Sequence, residues 1–151
     1  LRIGFDLDGT LCDISVALLR SIDNMKDKQA MRNIEQWYYR ERKPIFNARL
    51  FLHETDEMYI ITSRPKRLNK ITRKWVNKYY PKAKLYICDY PQPLGIKTDS
   101  ELNKWLYNKQ KDKAEVLNKL KLDVYFDDDP SCTDLRDLCP TIKIIQFGGR
   151  I

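Results

Sequence analysis

The sequence predicts an α/β fold, a parallel sheet flanked by helices with a small helical insert after the first strand. Short apolar, β-branched runs alternate with helix-like segments, and that alternation builds a sheet whose crossovers are helices on both faces. Several of the runs end in acids, hydroxyls or cations, at the strand ends where open parallel sheets bind ligands. At 151 residues the chain has the length of one domain, so 1–151 is read as a single unit.

Five segments read as strands, 3–7, 58–62, 84–88, 124–127 and 142–147, because each is a short apolar run bounded by polar or turn residues. Helical patterns cover about 44–54, 65–80, 100–108, 112–120 and 131–138. The stretch 14–42 interrupts the alternation. It is mostly helical in pattern, with Ile14, Leu18, Leu19, Ile22 and Met25 on one face and Trp37, Tyr38 and Tyr39 near its end. A loop is expected over 89–99, where three residues are Pro or Gly.

Composition narrows the chemistry. The single histidine, His53, has no second histidine with which to share a metal, and no GxSxG occurs, which excludes histidine-based and serine-nucleophile sites. Cys12, Cys88, Cys132 and Cys139 form no CxxC pair and fit reduced packing thiols in a cytoplasmic protein. No apolar run approaches the ~18 residues a membrane span needs, so no membrane partner is expected. The chain opens on Leu1 instead of Met, which leaves room for a start residue or leader ahead of it.

Net charge is +7, and one segment carries the excess. Between Arg64 and Lys84 lie nine Lys or Arg and no acid, while the rest of the chain holds 19 basic against 21 acidic residues. A localised anion-facing surface is one reading, and a solvated lysine-rich helix face the other.

The strand ends carry the functional argument. The first strand runs into Asp6-Leu7-Asp8-Gly9-Thr10. A carboxylate at a strand end attacks phosphorus once a metal offsets the charges involved, which suits Asp6. Asp8 projects on the same side, where a neighbouring carboxylate is expected to raise its pKa into the range of a proton donor. The second strand ends in Thr62-Ser63-Arg64, short donors and a cation for phosphate oxygens. The fourth ends in Asp127-Asp128-Asp129. Such crowding of like charge calls for a cation, and magnesium (Mg2+) suits oxygen ligands. Asp129 reads more simply as a helix-terminus acid. A lysine is wanted to stabilise the charge on the transferring oxygens, and Lys111-Asp112-Lys113-Ala114 opens the helix before the acidic strand.

In that order, DxDGT, a hydroxyl after a second strand, a lysine and an acidic pair, the chain resembles the haloacid dehalogenase (HAD) superfamily over nearly all its length outside 14–42. The resemblance implies a HAD-like, Rossmannoid fold and a magnesium-dependent phosphatase. It makes Asp6 the nucleophile, Asp8 the general acid and base, Thr62 a phosphate ligand and Lys113 its support. The metal is then held by Asp6, the main-chain oxygen of Asp8 and the pair Asp127 and Asp128, with either acid of the pair open as the direct ligand. Lys111-Asp112-Lys113 followed by Phe126-Asp127-Asp128-Asp129-Pro130 is similar to the 5′(3′)-deoxyribonucleotidases. Thr72-Arg73-Lys74-Trp75-Val76 after Thr62-Ser63-Arg64 is similar to the phosphatase domain of phage polynucleotide kinase, whose kinase half would carry a GxxxxGK[ST] that this chain lacks. Expected substrates are therefore nucleotides or nucleic-acid terminal phosphates, with Ser63, Arg64 and the segment 64–84 contacting them. A receiver-like signalling domain would need its acidic pair near the first strand, and the order here is the reverse. A nucleic-acid-binding module without activity would not need Asp6 and Asp8.

Overall fold

The computed structural model describes residues 1–45, 48–90, 95–130 and 132–147. Five parallel strands, β1 (Arg2–Phe5), β2 (Glu57–Ser63), β3 (Lys84–Cys88), β4 (Val124–Asp127) and β5 (Lys143–Gln146), form one sheet in the order β3-β2-β1-β4-β5. The chain builds outward from β1 to β3, then returns to β1's other side for β4 and β5. That reversal puts a crevice at the carboxyl ends of β1 and β4, the place where open α/β sheets bind ligands.

The central strands are buried on both faces, which is why they read as apolar runs. Alternate residues divide between two cores. Phe5, Met58, Ile60 and Phe126 pack with Trp75 and Val76, while Tyr59, Ile61 and Tyr125 pack with Ala114, Leu117 and Leu135. The first core is covered by α3 (Asn69–Tyr79), the second by α4 (Asp99–Leu120) and α5 (Cys132–Leu138). Between β1 and β2 the insert forms α1 (Val16–Asp23) and α2 (Lys28–Arg40), started by the Ser15 and Asp27 side chains. Of its expected apolar face Ile22 is buried, but Leu18 is 38% exposed. All four cysteines are free thiols, and among the described residues no helix is long and apolar enough to cross a membrane.

Three helix expectations need correction. The pattern at 44–54 yields only a 3-10 turn, Ala48–Phe51. Pro44 is held there in a bridge to Cys12 and Ile45 N donates to Leu11 O (3.1 Å), so the chain is pinned extended; Phe46 and Asn47 lie outside the described residues. The segment 65–80 is split into a 3-10 turn, Lys66–Leu68, and α3. The two helices expected over 100–108 and 112–120 are one 22-residue helix, because Lys109-Gln110-Lys111 contains no breaker. Its start is capped by Thr98 and its end by Lys121 in the left-handed region. Lys113 therefore sits deep inside α4 instead of opening a helix. Of the helix expected over 131–138, Ser131 lies outside the described residues, as does part of the loop expected over 89–99.

Candidate active site

Asp6 is the first residue beyond β1, fixed by its N–H donating to Phe126 O (2.8 Å). The chain then loops tightly: Leu11 and Cys12 N–H groups both donate to Leu7 O, and Gly9 N–H donates to Cys12 O. Gly9 has φ +85, a conformation that side-chain-bearing residues rarely adopt, and a Cβ there would collide with the Asp128 carboxylate. The glycine thus admits Asp128 beneath the loop. Asp6, Asp127 and Asp128 each offer an oxygen within 4.8 Å of the others, and all three are buried. Lys113, reaching from α4, donates to Asp6 (3.1 Å) and to Asp127 Oδ2 (3.1 Å).

These charges set one another. Burial, opposed by Lys113 and reinforced by Asp127 and Asp128, pushes the Asp6 carboxyl up to about 8. Burial alone would lower the Lys113 ammonium, but Asp127 and Asp6 outweigh it and hold that group well above its ordinary value. Three buried carboxylates against one ammonium leave a local excess of negative charge. The donors are all oxygen, and that set fits Mg2+ and not a thiolate- or imidazole-seeking metal.

Asp8 behaves opposite to the sequence expectation. Burial would raise its carboxyl, but the facing Arg64 guanidinium, helped by Arg42, brings it below the ordinary carboxylate value. Arg64 Nε and Nη2 both donate to Asp8, and Nη1 donates to Thr72 Oγ1 (2.9 Å) on α3. The Tyr39 ring lies 4.5 Å from the guanidinium. With its side chain 3% exposed, Arg64 stands behind Asp8 instead of at the mouth, so its expected place among the substrate contacts is corrected.

Asp6, Asp8, Thr62, Ser63, Lys113 and Asp127 share the walls of one cleft of about 170 Å³ at the carboxyl ends of β1, β2 and β4. Asp128 completes the acidic cluster just behind it. Asp129 lines the cleft too, with its N–H donating to Asp127 Oδ1 (3.0 Å), so it is more than a helix-terminus acid. The hydroxyls of Thr10 and Ser63 are buried without a hydrogen-bond partner among the described residues.

Sequence reasoning missed Arg42, Tyr39, Lys109 and Gln110. The Arg42 side chain is buried, donates through Nε to Asp13 (3.0 Å) and lies 4.4 Å from the Tyr38 ring, with both Nη atoms unpartnered among the described residues. One arginine among 28 Lys and Arg carries no mark of burial. Lys109 and Gln110 could have been found from Lys113, since residues three and four apart share a helix face.

No protein-family model matches the chain, and no curated protein matches it in sequence. Among solved structures it is similar to a chain in the Pnkp1/Rnl/Hen1 RNA repair complex, with a TM-score of 0.61 and 12% identity over 99% of this chain; it spans 42% of that chain's length. It is also similar, at a TM-score of 0.45 and 18% identity, to the HAD domain of the effector Lem4 from Legionella pneumophila, an inactive mutant, over 97% of this chain and 84% of that one. The five-stranded parallel sheet, its strand order and the first of these likenesses give the chain the α/β fold expected from its sequence, a parallel sheet flanked by helices.

Proposed function

We propose that this chain is a magnesium-dependent phosphomonoesterase that works through an aspartyl-phosphate on Asp6, with nucleotides or nucleic-acid terminal phosphates as substrates. The observation that carries this reading is the buried convergence of Asp6, Asp127 and Asp128, with Lys113 bridging Asp6 and Asp127. Four acids gathered at strand ends, with two hydroxyls beside them unpaired among the described residues, cost folding free energy that a packed apolar core would not. The substrate class rests on the motif resemblance.

Asp6, Asp127 and Asp128, which each bring an oxygen to one point, would hold Mg2+. The metal would offset the crowded carboxylates and the charge of the phosphoryl oxygens. In the first step a carboxylate oxygen of Asp6 attacks phosphorus while the bond to the leaving oxygen breaks, and Asp8 delivers its proton to that oxygen. In the second, water attacks the aspartyl-phosphate, Asp8 takes the water's proton, and the Asp6 oxygen–phosphorus bond breaks to release inorganic phosphate. Lys113 and the hydroxyls of Thr62 and Ser63 hold the transferring oxygens. Arg64 keeps Asp8 ionised at rest, which favours its role as base toward water. As an acid it must first be charged with a proton, so esters with poor leaving groups depend on it most.

The test is a panel of nucleoside 3′- and 5′-monophosphates, 3′-phosphorylated oligonucleotides and an aryl phosphate, assayed with Mg2+ and with chelator. Turnover that requires Mg2+ and falls below about 1% in Asp6→Asn is expected, since losing a covalent nucleophile costs orders of magnitude. An Asp6→Asn enzyme that retains more than that overturns the reading.

A further inference from the structure

A second cleft, about 120 Å³, adjoins the catalytic one; Tyr39, Ser63 and Lys109 line both. Of the nine described residues that line it, three are aromatic and three are charged. Tyr90, which leaves the sheet beyond β3, and Trp105 on α4 meet edge to face with ring centroids 5.1 Å apart, and the Tyr90 hydroxyl donates to Trp105 O (3.3 Å). Lys109, one turn further along α4, places its ammonium 5.6 Å from the Trp105 ring. Tyr39 on α2 lines the same cleft, with Arg64 against its ring.

These rings are not core residues. Tyr39, Tyr90 and Trp105 belong to neither apolar core, and the part of α4 that carries Trp105 is largely exposed, as Leu102 and Tyr107 show. Burial therefore does not explain why a tryptophan and two tyrosines gather where the phosphate cleft continues. Arg67 and Glu35, also on the wall, are locked in a bidentate pair through Arg67 Nε and Nη2 (2.8 Å each). Arg67 Nη1 takes no part in that pair.

We propose that this cleft is a nucleobase subsite: it takes the base of a nucleotide whose phosphate sits in the adjoining cleft, against Asp6 and Lys113. A flat ring is what such walls select, because base–aromatic stacking is favourable for every base. At about 120 Å³ the cleft is smaller than the cavity of about 150 Å³ that encloses one benzene, so a base would lie partly within it, one face or edge against the aromatic walls. A cation over Trp105 and the Glu35–Arg67 pair add polar contacts for a base's edge that an aliphatic leaving group would not use. The proposal deepens the phosphatase reading and rests on it for the position of the phosphate.

The experiment compares nucleoside 3′- and 5′-monophosphates with ribose phosphates that lack a base, in the wild type, Trp105→Ala and Trp105→Phe. The wild type should favour the nucleotide over its abasic counterpart in kcat/KM. Trp105→Ala should raise the nucleotide KM by about 10- to 100-fold and bring the nucleotide-to-abasic ratio toward one, and Trp105→Phe should restore most of that ratio. Equal treatment of nucleotide and abasic phosphate by the wild type, equal losses on both in Trp105→Ala, or a phosphotyrosine peptide outperforming every nucleotide overturns the subsite. Including a short 3′-phosphorylated oligonucleotide tells a free nucleotide from a nucleic-acid end, and a Trp105-dependent preference for either supports the subsite. Calorimetric titration of nucleoside monophosphate into Asp6→Asn separates the two readings. Binding lost in Asp6→Asn/Trp105→Ala alongside a wild type inactive on all phosphoesters keeps the subsite and removes the phosphatase, whereas hydrolysis indifferent to the base does the reverse.

Discussion

Asp8 and Arg64 show how one residue's role depends on another's packing. Arg64 is buried with its guanidinium shared between Asp8 and Thr72, and removing one partner of a buried pair strands the other's charge. Arg64→Ala should therefore destabilise the fold by on the order of 3 kcal/mol, a fall in melting temperature of roughly 6–12 °C for a chain of this size. Arg64→Lys should recover only part, because a lysine cannot make both bonds to Asp8 and reach Thr72 as well. Thermal melts of the two variants decide it, and melting temperatures equal to wild type in both would show the pair to be dispensable. Asp6 presents the opposite case, a carboxylate whose charge is opposed by its neighbours. In chelator at neutral pH, Asp6→Asn should melt higher than wild type, and added Mg2+ should raise wild type far more than the variant, since ligand that binds only the folded cluster stabilises by mass action. A wild-type melt indifferent to both Mg2+ and chelator would count against the metal site. Asp6, Asp127 and Lys113 were legible in the sequence because strand ends and motif order locate them. The Arg64–Asp8 pairing was not, since a sequence shows which charges exist but not which of them face each other.

At the scale of elements, what was legible followed burial. All five strands were readable from apolar runs because the sheet is sandwiched between helices, and Lys84–Cys88 and Val124–Asp127 match to the residue. Helices failed where the burial pattern and the backbone disagree. The first half of α4 contacts little core, so its periodicity fades near Lys109 although nothing interrupts the backbone. That continuity has functional weight: one helix of about 33 Å carries Trp105, Lys109, Gln110 and Lys113, tying both clefts to a single rigid rod. Lys111 is exposed on it, so a substitution there acts through the backbone alone. Lys111→Pro should cost about 3 kcal/mol or more and lower helix content, and Lys111→Gly about 1 kcal/mol. Had 109–111 been a linker, both would be nearly neutral in melting temperature and far-ultraviolet circular dichroism.

Over the whole molecule the question is how much of the basic excess is free to meet an anion. Of the nine cations from Arg64 to Lys84, Arg64 is committed to Asp8, Arg67 to Glu35 and Lys84 to Glu57, and Lys66 lies 3.7 Å from Asp89. Lys70, Arg73 and Lys74 are exposed on α3 and share one face, opposite the buried Thr72, Trp75 and Val76. The pattern therefore narrows from nine charges to five: Lys82 lies beyond α3, Lys78 near its end has its ammonium 5.1 Å from the Tyr79 ring, and Lys70, Arg73 and Lys74 form a stripe that continues along α3 from Arg67, on the wall of the aromatic cleft. A strand whose terminal phosphate occupies the catalytic cleft would meet that stripe with its next phosphates, by charge and without regard to base sequence. Three contacts on a single strand predict a slope of about −2 in log affinity against log salt. Lys70→Glu combined with Lys74→Glu should flatten that slope and weaken a 3′-phosphorylated oligonucleotide, while an aryl phosphate, too small to reach α3, is hydrolysed at the wild-type rate. Affinity measured across a salt series with both proteins tests this directly. A slope unchanged by the double substitution, or mononucleotides favoured over oligonucleotides at low salt, would mean that the stripe is a solvated helix face and that the substrate ends at its first nucleoside.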